Sequence, residues 1–555
     1  MTLLYQHTGV ALLRSTALSL AHAPDAWPDP DDVAACRAWL RRMWPLPGLA
    51  EAIGQASPSL AARLDGLLAG DNVRDRQVLR AAAALTRYLL RATGRPTPFG
   101  LFAGVAPVAL GAHARVRWGD DHRPVVRVGA EWLADIISRL EACPELLERL
   151  DVVLSDLAVR RGNRLELPHG PNRVTIRHTS AVHAAYETAA APVRFCDLAD
   201  KLTGVFPDAG SAKVRGLLTE LVRRGFLMTS LRAPFTVTDP LAHLIDRLVE
   251  AGADMVEPVV PLLRELQTVR VDVAHHNRAD TIPNDLSRGM LTRRMRALSE
   301  AGRTPLAADL LLDCDVQIPH SVVEEMERAA SALLRLGHQR TGQEVWREYH
   351  AAFLDRYGIG ALVPLRDAIA PDAGLGYPAG YPGSLLPEPR AGTSDRDERL
   401  LALAWRAIAD GSHEIALTEG SIQALTRNEP LDERRIPPHV ELSARIYATS
   451  TEALEHGEYT LTIAPARSAG TLTSRFTPTA TGSGLEEVYR TVPTATAGAL
   501  PVQLSFPPRL RTRRERLPRP CIPTTPPAAR RTPLRAARRR AGAHHGGRPR
   551  RTGDP

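Results

Sequence analysis

Along residues 31–94 the apolar positions recur every three or four residues, the spacing of one buried helix face. The clearest case runs from Arg74 to Thr93, where Val78, Leu79, Ala82, Leu85, Leu89 and Leu90 form the stripe. Gly94, Pro96 and Pro98 end it, because neither a proline nor the residue before one favours further helix. From Ala114 to Val128 the pattern turns partly alternating and valine-rich, which predicts strands, and Glu131–Leu150 returns to helix.

Residues 153–232 keep a shorter rhythm. Strands are expected at Leu157–Arg160 and Leu165–Leu167, then helices at Ser180–Thr188, Val193–Thr203 and Ser211–Arg224, then a strand at Phe226–Met228. In the last helix Ser211 is the expected N-cap, and Val214, Leu217, Leu218, Leu221 and Val222 share one face. Strands, three helices and a terminal wing in this order predict a winged helix-turn-helix. From Pro240 onward, helices (Leu241–Ala251, Val259–Leu266, Val322–Leu336, Glu344–Tyr357, Asp397–Ala409) alternate with strand-like stretches (Arg270–Ala274, Ala308–Gln317, Val440–Tyr447, Tyr459–Ala464). The Pro and Gly cluster from Pro371 to Pro389 reads as a long irregular loop. With no regular βαβ period and no internal repeat, the fold class expected is α+β and multidomain.

Composition adds less than position does. The 555 residues, 44% hydrophobic and 24% charged, suit three or four globular domains at roughly 150 residues each. The net charge of +8 suggests nucleic acid, but residues 509–555 hold 15 Arg against only Glu515 and Asp554. That tail carries +13, so residues 1–508 carry −5. With 8 Pro, four residues from Leu, Ile, Val and Phe, and no aromatic, the tail cannot bury enough apolar surface to order itself. Only Lys201 and Lys213 are lysines, and neither precedes Ser or Thr, which excludes a Walker-type nucleotide hydrolase. Five scattered cysteines without a C-x-x-C pair read as reduced thiols, with neither disulfides nor a zinc knuckle. The segment Thr2–Ala23 lacks a basic start and is interrupted by Arg14, so it does not read as a secretory signal. No apolar run approaches the length of a membrane span, and a cytoplasmic protein is expected.

Candidate chemistry concentrates at Arg91-Ala-Thr-Gly-Arg95-Pro-Thr97-Pro-Phe-Gly-Leu-Phe-Ala-Gly104. Arg91 and Arg95, four apart, lie together at a helix C-terminus, and the following turn exposes the Thr97 hydroxyl beside them. Two like charges so placed repel unless they share an anion. The residues alone leave two readings open: a phosphate or carboxylate pocket, or a solvated helix end before an apolar strand. Gly374-Leu-Gly376 is no dinucleotide fingerprint, because Pro378 follows and no strand precedes. The pair His275-His276 lacks an H-E-x-x-H context and is expected at a strand end or loop, and no G-x-S-x-G elbow occurs.

The string R-x-x-x-R-x-T-P-F-G-L-F-A-G resembles the signature of the lantibiotic dehydratase N-terminal, tRNA-dependent glutamylating region. Further matches follow in order: Arg356-Tyr357-Gly358, Val363-Pro364-Leu365, Pro371-Asp372-Ala-Gly374-Leu375-Gly376-Tyr377, Pro437-Pro438 and the stretch from Pro493 to Pro508. The resemblance implies transfer of glutamate from glutamyl-tRNA, as co-substrate and without other cofactor, onto Ser or Thr of a precursor peptide. Elimination then leaves dehydroalanine or dehydrobutyrine, since a carboxylate leaves far more readily than hydroxide. It places Arg91, Arg95 and Thr97 in the glutamylation site. Arg14 takes the early family arginine position, although the proline usual behind it is absent. Asp309, in Pro305-Leu306-Ala-Ala-Asp309, matches P-L-x-x-D, and Arg475 matches a later G-R-F arginine with Ser474 in place of Gly. One acid is missing: where the family often has D-x-E-W, this chain has Gly129-Ala130-Glu131-Trp132, with Glu131 as a stand-in.

By the same resemblance the winged helix is a precursor-peptide recognition element, with the leader added as a strand to a sheet edge. Its mixed charges form no basic stripe, which favours peptide over the rival reading of a DNA binder carrying Arg223 and Arg224 on its third helix. The expected organisation is residues 1–152 and 233–508 for an incomplete glutamylation domain, 153–232 for the recognition element and 509–555 for the tail. No counterpart of the family's elimination domain is expected, so a separate elimination protein and a cyclase are the implied partners. The alternatives are a truncated, inactive product that keeps only leader binding, and a related enzyme that adds an aminoacyl group from tRNA to a peptide end. The Arg/Pro-rich text after Pro508 predicts a frameshift near that codon, with a basic arm that gathers tRNA as the other reading.

Overall fold

The computed structural model describes residues 3–70, 74–169, 172–234, 237–278, 285–337, 344–381, 383–387, 393, 395–426 and 436–494. The chain begins with β1 (Ala11–Thr16) and helices α1 (Val33–Met43), α2 (Leu49–Ala56), α3 (Pro58–Ala69) and α4 (Asp75–Gly94). Strands β2 (Ala103–Gly111), β3 (Arg115–Trp118) and β4 (Arg123–Val128) and helices α5 (Ala130–Glu141) and α6 (Pro144–Leu147) follow. A middle section holds β5 (Asp151–Leu154), β6 (Val159–Arg161), β7 (Arg164–His169), β8 (Asn172–Arg177), α7 (Ser180–Thr188), β9 (Val193–Arg194), α8 (Phe195–Val205), α9 (Ser211–Arg223) and β10 (Leu227–Thr229). Next come α10 (Pro240–Glu250), α11 (Val260–His276), α12 (Asp285–Leu298), β11 (Leu306–Leu311), β12 (Cys314–Pro319) and α13 (His320–Arg335). The last elements are α14 (Glu344–Tyr357), α15 (Leu365–Ala368), α16 (Asp395–Ala409), α17 (Glu419–Thr426), β13 (Glu441–Ala448), α18 (Thr451–Glu455), β14 (Tyr459–Arg467) and α19 (Leu485–Arg490). The architecture is mixed α+β. Residues 509–555 lie outside the described residues.

Strand β2 takes partners on both edges. On one, β1 runs antiparallel, from Ala11 opposite Val108 to Thr16 opposite Ala103. On the other, β11 and β12 run parallel to it, from Leu310 beside Gly104 to Pro319 beside Gly111. β11 and β12 pair in turn with β4 and β3, both antiparallel. Segments nearly 200 residues apart therefore complete one sheet. Ala114–Val128 holds two strands, β3 and β4, and Ala308–Gln317, expected as one strand-like stretch, is also two, broken at the matching place. Asp313 occupies the break: its carboxylate accepts from Arg117 Nη2 at 2.9 Å and from the Asp121 amide at 3.2 Å, while its own amide donates to His122 Nδ1.

The sheet buries one face. Alternation puts Leu306, Ala308 and Leu310 of β11 with Val126 and Val128 of β4 into a core shared with Leu85 and Leu89 of α4 and Trp132 and Ile136 of α5. A fully buried side chain of this size contributes about 2 kcal/mol by leaving water. The opposite face carries Arg14, Asp309 and Arg127, by the same register.

In the middle section β6, β7 and β8 form an antiparallel meander, and β5 lies between β9 and β10. Helix α7, strand β9, helices α8 and α9 and strand β10 follow β8 in the chain. β5 starts at Asp151, so a boundary at 152/153 would cut that strand. The buried Glu141 of α5 ties the section to the main sheet's layer, accepting from Arg232 at 3.0 and 2.6 Å and from Thr229 Oγ1 at 2.8 Å.

Several local expectations are corrected. Arg270–Ala274 is not a strand: α11 runs through to His276, with Leu263, Leu266, Val269 and His276 buried and Val271 out in solvent. Alternating β-branched residues suggested extension, but burial at helical spacing outweighs that preference. The His275-His276 pair accordingly ends a helix. Gly210, at φ 74°, is the N-cap of α9, and Ser211 is its first helical residue. The single helix expected over Glu131–Leu150 divides before Pro144, and Val193–Arg194 is a short strand with the helix starting at Phe195.

Candidate functional site

The two faces of α4 separate by sequence. Val78, Leu85 and Leu89 turn inward, and Arg80, Arg87 and Arg91, at i, i+7 and i+11, share an outward stripe. Helix α3 alongside contributes Arg63. The helix stops at Gly94, and the turn through Gly100, whose φ of 53° suits glycine, brings Phe99 back over Arg91 with the guanidinium 4.2 Å from the ring centre. Arg63, Arg80, Arg87, Arg91 and Arg95, with Tyr88 and Phe99, line an open cleft of about 710 Å3 that includes no carboxylate among its lining residues.

None of these five arginines forms an ion pair among the described residues. Arg91 Nε is shielded from solvent without a hydrogen-bond partner. Burial, followed by the neighbouring charge of Arg95, pushes the Arg91 guanidinium below its ordinary pKa. Five uncompensated cations around one concavity suit a polyanion, and the rings offer surfaces on which a base can stack. Arg91 and Arg95 thus share this cleft, with Thr97 exposed on the turn just beyond it.

Asp309, Arg475 and Arg14 gather elsewhere. The Asp309 side chain, 4% exposed, accepts from Arg475 Nη2 at 2.5 Å and from Arg127 Nη2 at 3.5 Å. Arg14 lies two strands over on the same face, and its Nη2 donates to Ser443 Oγ of β13 at 3.2 Å. A network holds the 3-10 turn Ser474–Phe476 that carries Arg475: Glu441 accepts from the Leu472 amide at 2.7 Å and from the Thr473 hydroxyl.

Glu131 joins neither group. It sits exposed at the start of α5 against Gly302, where an added Cβ would lie 3.0 Å from its own. The glycine before it has a structural cause: a Cβ at Gly129 would meet the carbonyl oxygens of Thr304 and Pro305 at 2.9 Å, and its amide donates to Pro305 at 2.6 Å. An aspartate does not fit this backbone. Sequence reasoning missed Arg63, Arg80, Arg87 and Arg127. The seven- and eleven-residue spacing to Arg80 was a usable signal, whereas Arg63 and Arg127 become neighbours only through tertiary packing.

The sequence model of the family described as lantibiotic dehydratase, N terminus, matches residues 46–528. This chain belongs to that family. The matched span passes Pro508 and ends within the Arg/Pro-rich stretch. Among its relatives, the subtilin biosynthesis protein SpaB of Bacillus subtilis is 25% identical over 322 residues, covering 57% of this chain and 30% of its own. The epidermin biosynthesis protein EpiB of Staphylococcus epidermidis is 22% identical over 425 residues, covering 73% of this chain and 40% of its own. The crystal structure of the tRNA-dependent lantibiotic dehydratase MibB from a Microbispora species superposes with a TM-score of 0.74 at 30% identity, over 88% of this chain and 47% of that one. The chain therefore spans less than half the length of each of these relatives. Among the described residues no helix is long and apolar enough to cross a membrane.

Proposed function

We propose that this dehydratase-family chain binds glutamyl-tRNA and transfers its glutamyl group to Ser or Thr hydroxyls of a ribosomally made precursor peptide in the cytoplasm. The observation that carries the reading is the cleft of five unpaired arginines with Tyr88 and Phe99. A carboxylate-free basic groove with exposed rings fits the single-stranded, base-bearing end of a tRNA. Arg91 and Arg95 hold the donor's phosphates, and Thr97, on the turn just beyond the cleft, is assigned to the same glutamylation site. Such positioning makes the step effectively unimolecular. The chemistry balances: the acceptor hydroxyl oxygen attacks the glutamyl ester carbonyl, its proton goes to the departing ribose oxygen, and uncharged tRNA leaves. Elimination of that glutamate in a later step leaves dehydroalanine or dehydrobutyrine.

Residues 151–232 take the leader peptide, which adds as a strand to β8; that strand pairs with β7 alone among the described residues. A duplex-DNA reading of the same element is disfavoured because Arg223 and Arg224, at the end of its third helix, are both bonded to Glu220, and Arg215 of that helix is bonded to Glu148 and Asp200.

The test is incubation with precursor peptide and glutamyl-tRNA, followed by mass spectrometry. Adducts of one glutamyl mass on Ser or Thr are expected, and they disappear in Arg91→Ala and Arg95→Ala while leader binding persists. Leader binding without any adduct in the unaltered chain would support a fragment that only binds, and aminoacylation at a peptide terminus would indicate a peptide ligase.

A further inference from the structure

We infer that the Asp309-centred cluster is a second anion site, and that Arg127 reads the side-chain carboxylate of the donor's glutamyl group. This rests on the glutamyl-tRNA reading and assigns its amino-acid specificity to a residue outside the arginine cleft. Three features carry the inference. First, the charges do not balance. One carboxylate, Asp309, faces Arg127 and Arg475, and Arg14 on the same sheet face has, among the described residues, only the neutral Ser443 as hydrogen-bond partner, leaving an excess of two positive charges there. The other buried carboxylate among the described residues, Glu141, is matched one to one with Arg232.

Second, the geometry presents the excess charge to solvent. Asp309 is 4% exposed, whereas the side chains it grips, Arg127 and Arg475, are 46% and 52% exposed. Each uses one Nη2 on a different oxygen of Asp309, so the carboxylate aims two guanidiniums outward from a rigid strand and leaves their remaining N–H groups available. Two planar forks beside each other suit an incoming carboxylate. Third, the cluster is separate from the cleft: none of Arg14, Arg127, Asp309 and Arg475 lines it. If the cleft takes phosphates, an anion of another kind remains to be bound. The donor has one, since glutamate joined to tRNA through its α-carboxyl keeps its side-chain carboxylate free. Glutamyl and glutaminyl donors differ only in that group, and a site that pairs with a charge rejects the analogue lacking it.

The probes are glutamyl-adenosine and glutaminyl-adenosine with a non-hydrolysable amide in place of the ester, titrated calorimetrically into the full chain. The unaltered protein is expected to prefer the glutamyl compound by about tenfold or more, the scale of one charge-assisted contact. In Arg127→Met the preference should vanish with affinity for the glutaminyl compound unchanged. Arg127→Lys, which keeps the charge without the fork, should retain part of it and guards against a folding defect in the first variant. Uncharged tRNA should bind both variants as it binds the original. A preserved preference in Arg127→Met overturns the inference alone, as does an equal loss for uncharged tRNA, which would assign the cluster to phosphate. An unaltered chain that binds neither compound sinks this inference together with the glutamyl-tRNA reading.

Discussion

Asp309 and Arg475 are 166 residues apart in sequence and meet at 2.5 Å. The pair joins the central strand β11 to a turn near the C-terminal end of the described chain. Because the carboxylate is buried and holds two cations, Asp309→Asn leaves both guanidiniums without their anion. A loss of about 2 kcal/mol in urea unfolding is expected, below the cost of a fully buried pair because both arginines are half in water. Arg475→Met should cost less, about 1 kcal/mol, since Arg127 still compensates Asp309. Equal costs for the two substitutions would contradict this asymmetry.

Glu141 predicts how firmly the middle section is attached. Its side chain is 6% exposed, and it accepts three hydrogen bonds from Thr229 and Arg232. Glu141→Gln should destabilise by roughly 2 kcal/mol. Limited proteolysis should then cut first near residues 229–234. Cleavage elsewhere would show that this contact is not what anchors the element.

The arginine cleft trades stability for binding. Arg91→Ala and Arg95→Ala each relieve repulsion, so the melting temperature should hold or rise while tRNA affinity falls. Each removal should also make the dependence of log affinity on log salt shallower by about 0.7. An unchanged slope would place the phosphates elsewhere.

The buried His276 sets an acid limb. Burial, then the charges of Arg288 and Arg123, depress its pKa below the ordinary 6.5. The folded state therefore favours neutral imidazole. The sign follows: stability is full above about pH 6.5, where the unfolded chain is neutral as well, and falls as pH drops and the unfolded chain gains the proton first. Urea midpoints at pH 7.5 and 5.5 should differ, and His276→Asn should narrow the gap. An unaltered gap would refute this source.

Gly129→Asp would complete the D-x-E-W pattern before Trp132, yet should not raise activity. Its Cβ would lie 2.9 Å from two backbone oxygens. The expected outcome is a lowered melting temperature with no gain in adduct yield. A stable, more active variant would show that residues 304–305 yield readily.

Much was legible locally. The apolar stripe of α4 gave that helix within a residue at each end, and α7 and α14 match their expected bounds, because amphipathic spacing reports one buried face. The error over Arg270–Ala274 arose where valines alternate on a helix, since local preference and burial pattern disagreed and packing decided. Arg91 and Arg95 were found by spacing along one helix. Arg127 was not, because its meeting with Asp309 depends on strand register.

The sequence by itself determined most of the elements, the family and the crowding of Arg91 against Arg95, for these depend largely on residues close together along the chain. Only the tertiary structure decided that the arginines fall into two separate groups. Residue spacing measures distance along an element, whereas the pairing of β2 with β11 and of β11 with β4 brings together residues from 178 to 206 positions apart. That pairing puts Arg14, Arg127 and Asp309 on the sheet face away from the core, and α3 beside α4 adds Arg63 to the cleft.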